Sequence, residues 1–450
     1  MNTGGKSNSQ RPAPDRTHGG QTEETLMART KPTPAARAVA RAARVGAGAR
    51  FATAIGALRG RDFRLLFFGT VAQGFGQWAQ TIGMGWLVYE LSNDSAVQLG
   101  AISAFSGVVR LVAGPFIGFA LDRYSRRSIL LWTTGLGATQ GGALALLVIS
   151  GHAEIWHIYM FAFAEGLITT TNQTTRQAYV YDITTDETLP NAVALSSVAQ
   201  NLSRVSGPPL AGVLAVLNVA APFIFLTVMK TLGLLLTLPL SRATRQAGRA
   251  SQNALRGTWD GLRYVSREPA VLGLVVLALI PALLVYPYVQ LLPVFAKQVL
   301  GGGSLEYGLL AASIGWGSLV GLLGLAFAGD MPRKGVTALW GMLGYALLLL
   351  AFSQSTVLWL SLACLSIAGV FHGVSLALQQ TLVQLLARND MRGRATSVFQ
   401  MGFALQPIGV LVMALAIDQW NAAPAVGAFF AVASLAFGAM AVGWGSLRRA

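Results

Sequence analysis

From Leu65 onward the chain repeats one pattern, an apolar stretch of about 20 residues followed by a polar joint. A helix of that length spans ~30 Å of hydrocarbon, and inside that layer the backbone must satisfy its own polar groups. The pattern predicts twelve membrane helices, at 65–89, 97–120, 128–150, 155–176, 192–217, 221–240, 271–296, 305–328, 335–353, 357–383, 395–417 and 423–445. Only 11% of the residues are charged, against about 25% in soluble domains. A soluble fold is excluded, and an all-α membrane protein is expected.

The polar joints divide the chain. Residues 1–60 are rich in Gly, Ser, Pro, Ala and Arg and hold no apolar run that could span a bilayer or serve as a secretory signal. They read as a disordered basic tail, with Arg37, Arg41 and Arg44 at helical spacing and Met27 as an alternative start. Residues 61–240 form a first group of six helices and residues 269–450 a second. Between them, 241–268 is a linker holding six arginines (Arg242, Arg245, Arg249, Arg256, Arg263 and Arg267) with Trp259, Leu262 and Tyr264 among them. An amphipathic helix at the membrane surface fits that pattern.

The net charge of +15 and a pI near 10.6 would suit a nucleic-acid binder. The positions of the charges argue otherwise. With the N-terminus inside, 29 of the 33 basic residues fall in cytoplasmic segments. Lys297 alone falls in an external loop, and Arg110, Arg204 and Lys230 lie within spans. Such an asymmetry orients multi-pass proteins. Both termini are therefore expected in the cytoplasm, with the chain a monomer in the plasma (inner) membrane and no nucleic-acid partner.

Catalytic chemistry is not expected. One cysteine rules out a disulfide framework, a zinc cluster or a CxxC pair. The four histidines (His18, His152, His157, His372) form no ligand spacing, and no Ser-His-Asp set or phosphate loop is evident. Neither a metal nor a cofactor is expected.

Two motifs carry a family resemblance. Gly118-Phe-Ala-Leu-Asp122-Arg123-Tyr-Ser-Arg126-Arg127 stands between the second and third spans. It resembles the loop motif of the major facilitator superfamily, with Ser125 in place of the usual second glycine. A weaker echo, Gly329-Asp330-Met-Pro-Arg333-Lys334, follows span eight. Further landmarks are Arg176-Gln-Ala, Pro190-Asn-Ala-Val-Ala-Leu, Gly207-Pro208-Pro-Leu-Ala-Gly212, Leu292-Pro-Val-Phe, Gly301-Gly-Gly and Arg392-Gly-Arg394. Their order is similar to the enterobactin-exporter-like branch over residues 60–445. The resemblance implies two pseudo-symmetric six-helix halves and proton-driven export of siderophores, macrolides or other amphiphiles. It also implies that Gly118, Asp122, Arg123, Arg126 and Arg127 form a cytoplasmic network fastening the halves when the outer side is open. Gly207, Pro208 and Gly212 match an antiporter-associated stretch. Ala162, four residues before Gly166, stands where many drug antiporters carry an arginine. Span one also lacks an acidic residue, so coupling schemes built on either group do not transfer.

In that fold, helices 1, 4, 7 and 10 surround the cavity, and the residues can be tested against this. Span one carries Thr70, Gln73, Gln77 and Gln80 on one face, and span four carries Glu165, Thr169, Asn172 and Arg176. Span ten has His372, Ser375 and Gln379. The prolines of span seven (281, 287, 293) predict bends that present Tyr286 and Gln290. Polar groups cannot face lipid without cost, so these stripes face water or one another. Arg110 and Arg204 join them as cavity candidates, and Lys230, on a peripheral helix, is expected to snorkel to a headgroup or bond a helix-end carbonyl.

Glu165 is the one carboxylate near the centre of a span. Ionisable groups there cost ~2.5–3.5 kcal/mol on insertion scales and mark function. Two roles are open to it, proton carriage or a permanent ion pair with Arg110 or Arg204. His372 is either a structural histidine or a proton relay. The expected function is proton-coupled export of a small amphiphilic or anionic molecule, driven by the proton gradient. Uptake by symport and a non-transporting receptor or scaffold are the alternatives.

Overall fold

A computed structural model describes residues 56–185, 187–241, 254–329, 331–388 and 391–448. The tail spacing of Arg37, Arg41 and Arg44, the linker residues Arg242, Arg245 and Arg249, and Asp330 lie outside the described residues. Among the described residues the chain is helical, without strands. The first group is α1 (Arg61–Leu91), α2 (Ala96–Arg123), α3 (Arg126–Ile149), α4 (Ile155–Ile183), α5 (Leu189–Leu217) and α6 (Ala221–Thr237). After a linker helix (Ala254–Arg267) come α7 (Pro269–Val299), α8 (Ser304–Ala328), α9 (Lys334–Ser353), α10 (Leu358–Leu386), α11 (Arg392–Trp420) and α12 (Ala422–Gly443).

Among the described residues, seven helices are long and apolar enough to cross a membrane: α2, counted over Ala96–Gly114, and α7 to α12. The helix α6 is apolar but has 17 residues. In α1, α3, α4 and α5 the apolar run is broken by Gln, Thr, Asn, Ser or Arg.

Local chemistry sets the helix ends. Ser95 accepts the Gln98 N–H at 3.3 Å to start α2, and Ser125 accepts the Ser128 N–H at 3.2 Å to start α3. The serine that departs from the superfamily motif is thus an N-cap. Pro190, Pro222 and Pro269 open α5, α6 and α7, where a missing N–H costs nothing. Inside α7 the α-helical turns end at Leu284, give way to a tighter 3₁₀ stretch over Tyr286–Leu291, and close on a π-turn at Phe295–Val299. The departure from α-helical geometry begins next to Pro287, which sits in the 3₁₀ stretch.

Packing repeats with a period of six helices. In the first group α1 lies on α5 and α6, α3 on α4 and α6, and α2 on α4. In the second, α7 lies on α11 and α12, α9 on α10 and α12, and α8 on α10. Two seams join the groups, α2 against α11 and α5 against α8, and these also exchange when six is added.

The seams are tight at one end only. A methyl on Gly100 would lie 2.5 Å from the Ala414 Cβ, and one on Gly107 2.2 Å from the Pro407 Cγ. On Gly114, one heptad further, it would meet nothing within 4 Å. Along the other seam a methyl on Gly212 would reach the Ser304 carbonyl at 2.8 Å, and one on Gly308 the Pro208 carbonyl at 2.6 Å. Helices in lipid associate through close packing rather than by hydrophobic burial, and small residues allow it. Lys297 and Asp94 add an ion pair of 2.5 Å between the groups at the closed end. The groups separate toward the end that carries Arg123, Arg126 and Arg127.

The linker helix docks on the second group. The Tyr264 hydroxyl accepts the Arg388 N–H at 3.1 Å, Asp260 pairs with Arg394 at 3.3 Å, and Val265 is buried. Trp259 and Leu262 remain exposed on its other side. An expected surface helix is therefore pinned by one face to the ends of α10 and α11.

Candidate functional site

A cavity of about 100 Å³ lies between the groups. Gln77 and Gln80 of α1, Ser106 and Arg110 of α2, Glu165 of α4 and Gln290 of α7 line it. Glu165 is buried. Its Oε1 meets the Thr169 hydroxyl, and its Oε2 has no protein partner. The described residues give it no ion pair with Arg110 or Arg204. The Thr169 hydroxyl also lies 3.0 Å from the Gln77 Oε1. A hydroxyl has one proton for two acceptors. Both contacts are satisfied if Glu165 is protonated and donates to Thr169, or if the Gln77 amide turns to present its Nε2.

A second polar network fills the interior of the first group. The Gln73 Nε2 donates to the Thr134 hydroxyl at 2.7 Å, and the Asn172 Nδ2 reaches the Thr133 and Thr134 hydroxyls at 2.8 and 3.1 Å. The Arg176 Nε donates to the Asn172 Oδ1 at 2.8 Å and its Nη1 to the Thr70 hydroxyl at 3.3 Å. Gln73 and Asn172, expected at the cavity, thus serve the bundle interior, because the winding stripes of α1 and α4 turn part of themselves toward α3. Arg176, the last residue of the expected fourth span, lies inside α4 and is buried, with its Nη2 unpartnered. The expectation for Lys230 is corrected. The residue is 2% exposed, and its Nζ would lie 3.4 Å from a methyl on Gly137. It enters the bundle instead of snorkelling, since Gly137 leaves room for its stem.

The second group presents aromatics. The Tyr286 ring lies 5.3 Å from the His372 ring and stacks on Phe403 at 5.9 Å, while Tyr345 lies 5.1 Å from His372. The His372 Nδ1, the Ser375 hydroxyl and both amide atoms of Gln379 have no protein partner. These groups do not line the Glu165 cavity, and neither does Arg204, which is exposed on α5.

At the open end Arg126 pairs with Asp182 and donates to the Ala178 carbonyl at 2.8 Å. Arg127 donates to the Leu238 carbonyl at 2.5 Å, and Arg123 is exposed. These contacts fasten the motif to α4 and to the end of α6, within its own group. The Gly118 and Asp122 side chains lie outside the described residues. Gly207, Pro208 and Gly212 are packing elements here. A methyl on Gly207 would lie 2.7 Å from the Trp78 Cβ of α1, and the other two residues build the α5–α8 seam.

Sequence reasoning missed Thr133 and Thr134, whose signal was an adjacent threonine pair inside the third span. It also missed Asp94, signalled by the single basic residue assigned outside, Lys297.

The profile of the transmembrane secretion effectors of the major facilitator superfamily matches residues 52–443. The chain belongs to this family. Among relatives of the secretion effector, the staphyloferrin A transporter of Staphylococcus aureus is 24% identical over 356 residues, covering 77% of this chain and 87% of its own. The enterobactin exporter of Shigella boydii is 25% identical over 319 residues, covering 69% and 74%. The fold matches an inward-facing crystal structure of a bacterial homologue of the lysosomal transporter Spinster. That match has a TM-score of 0.60 at 15% identity and covers 86% of this chain and 96% of the other. This secretion effector is a multi-pass transporter of the cell membrane, not an enzyme.

Proposed function

We propose that the protein is a proton-coupled exporter of a small amphiphilic or anionic molecule, a siderophore or drug, working by alternating access. Twelve spans in two six-helix halves, with both termini in the cytoplasm, fit the placement of the basic residues and the six-helix repeat in packing. The clasped seams and the separated basic end then correspond to a transporter open to the cytoplasm. At about 100 Å³ the cavity is its closed tip, below the ~300–1,000 Å³ of ligand sites, so loading must widen it.

The observation that carries the reading is the unpartnered Glu165 Oε2 in a cavity shared with Arg110. Antiport requires substrate and proton to exclude one another. A substrate donor hydrogen-bonded to Glu165 Oε2 achieves this, while Arg110 takes an anionic or acceptor group. Thr169 passes the protonation state to Gln77. With Glu165 protonated, the Gln77 oxygen faces Thr169 and its Nε2 is free for the cavity. With Glu165 ionised, the amide turns and offers an acceptor.

An anionic substrate held by Arg110 alone would favour the protonated Glu165 and make the carrier a symporter, and this is the second reading. Binding at several pH values separates the two. Using staphyloferrin A and enterobactin, the cargo named for two relatives, export predicts tighter binding as pH rises, and symport the reverse. Glu165→Gln should abolish that slope, and a slope that survives in this variant removes Glu165 from the coupling step.

A further inference from the structure

On the outer side of the second group, away from the central cavity, a groove of about 900 Å³ opens between the start of α9 and the end of α12. Arg333 and Arg448 line it, with Val336, Trp340, Ala441 and Val442. We propose that this groove binds an anionic phospholipid of the leaflet at the basic end, with its phosphate held by the two arginines.

Three features support a built site rather than a frayed end. The segment after α12 is anchored, with Leu447 fully buried and the Trp444 Nε1 donating to the Pro269 carbonyl at 2.9 Å. The Arg448 Nη1 donates to the Val442 carbonyl at 3.0 Å, which fixes one guanidinium edge and leaves other N–H groups for a ligand. Arg333 caps α9 with φ +59°, a left-handed conformation that is unfavourable for a non-glycine residue. That strained backbone puts a cation on the groove.

The occupant follows from charge and position. Among the described residues no ion pair engages Arg333 or Arg448, and no acidic side chain lines the groove. Trp340 and Val442 are exposed on a peripheral surface of a membrane protein, so acyl chains cover them. A tryptophan beside two arginines at a helix end is the arrangement of the headgroup level. Basic pockets between membrane helices at that level select anionic lipids, each arginine contributing about 1 kcal/mol.

The test uses the full chain in nanodiscs and reads tryptophan fluorescence, with Trp340→Phe subtracted to isolate Trp340. Brominated phosphatidylglycerol should quench Trp340 more strongly than brominated phosphatidylcholine, with a preference of up to about thirtyfold in apparent affinity. Arg333→Gln with Arg448→Gln should remove the preference. Should that variant fail to fold, raising salt on the wild-type chain should weaken the preference. Equal quenching by the two lipids overturns the proposal, as does a preference unmoved by both the variant and salt. Glycerol phosphate competing as well as the lipid would also overturn it, in favour of a soluble-anion site. The readout needs no transport, so it stands or falls apart from the exporter reading.

Discussion

The two halves share one packing plan but differ in what fills them. Inside the first, Gln73, Thr134, Asn172 and Arg176 form a hydrogen-bonded chain, with Lys230 buried nearby and Glu165 facing the cavity. Inside the second, Tyr288, Tyr345, Phe295, Phe352 and Phe430 make a buried aromatic core. Its buried Ser313, Ser318 and Ser434 bond only backbone carbonyls, and Ser375 and Gln379 lack protein partners. A hydrogen-bonded polar network has much to lose from truncation. On the proposed exporter reading, the difference places proton chemistry in the first half.

The largest expected effect tests that division directly. Glu165→Gln should reduce pH-gradient-driven export in proteoliposomes by at least about a hundredfold, the scale of losing a proton-transfer group. Substrate exchange without a gradient should persist. Next comes Asn172→Leu, which strands the Arg176 Nε and takes one donor from the Thr133 and Thr134 hydroxyls. It should cost about 2–4 kcal/mol of stability, read as a clear fall in melting temperature in detergent.

The bridge between the halves should respond less. The Lys297–Asp94 pair is partly exposed, so Lys297→Gln should shift the inward- to outward-open ratio by about twofold to fivefold, measured by spin-label distances across the seams. Smallest is the counterpart in the second half. Gln379→Leu removes a group without a protein partner and should leave the melting temperature within about 1 °C or raise it. Transport that falls while stability holds would mark Gln379 as a substrate contact. A loss of stability as large as that of Asn172→Leu would erase the contrast between the halves.

Much of this was legible in the chain itself. The apolar stretches foretold the helices to within a few residues, and α1 and α4 run longer because polar residues continue a helix past the hydrocarbon layer. The stripes of α1 and α4 carry Gln77 and Glu165, and in the structure both line one cavity. Those stripes did not foretell that Gln73 and Asn172 turn away, since a stripe wider than one contact serves two neighbours and spacing does not say which. Lys230 shows the same limit, because its refuge is made by Gly137 on another helix.

The sequence alone determined the class of the protein, because repeated apolar stretches of about 20 residues suit the hydrocarbon layer as helices and unpaired charge does not. It also determined the family, through motifs whose order survives at about a quarter identity. Only the tertiary structure decided which polar groups face each other, which glycines close a seam and which end stands open. Those depend on distances between residues far apart in the chain, and periodicity along a single helix carries no information about them.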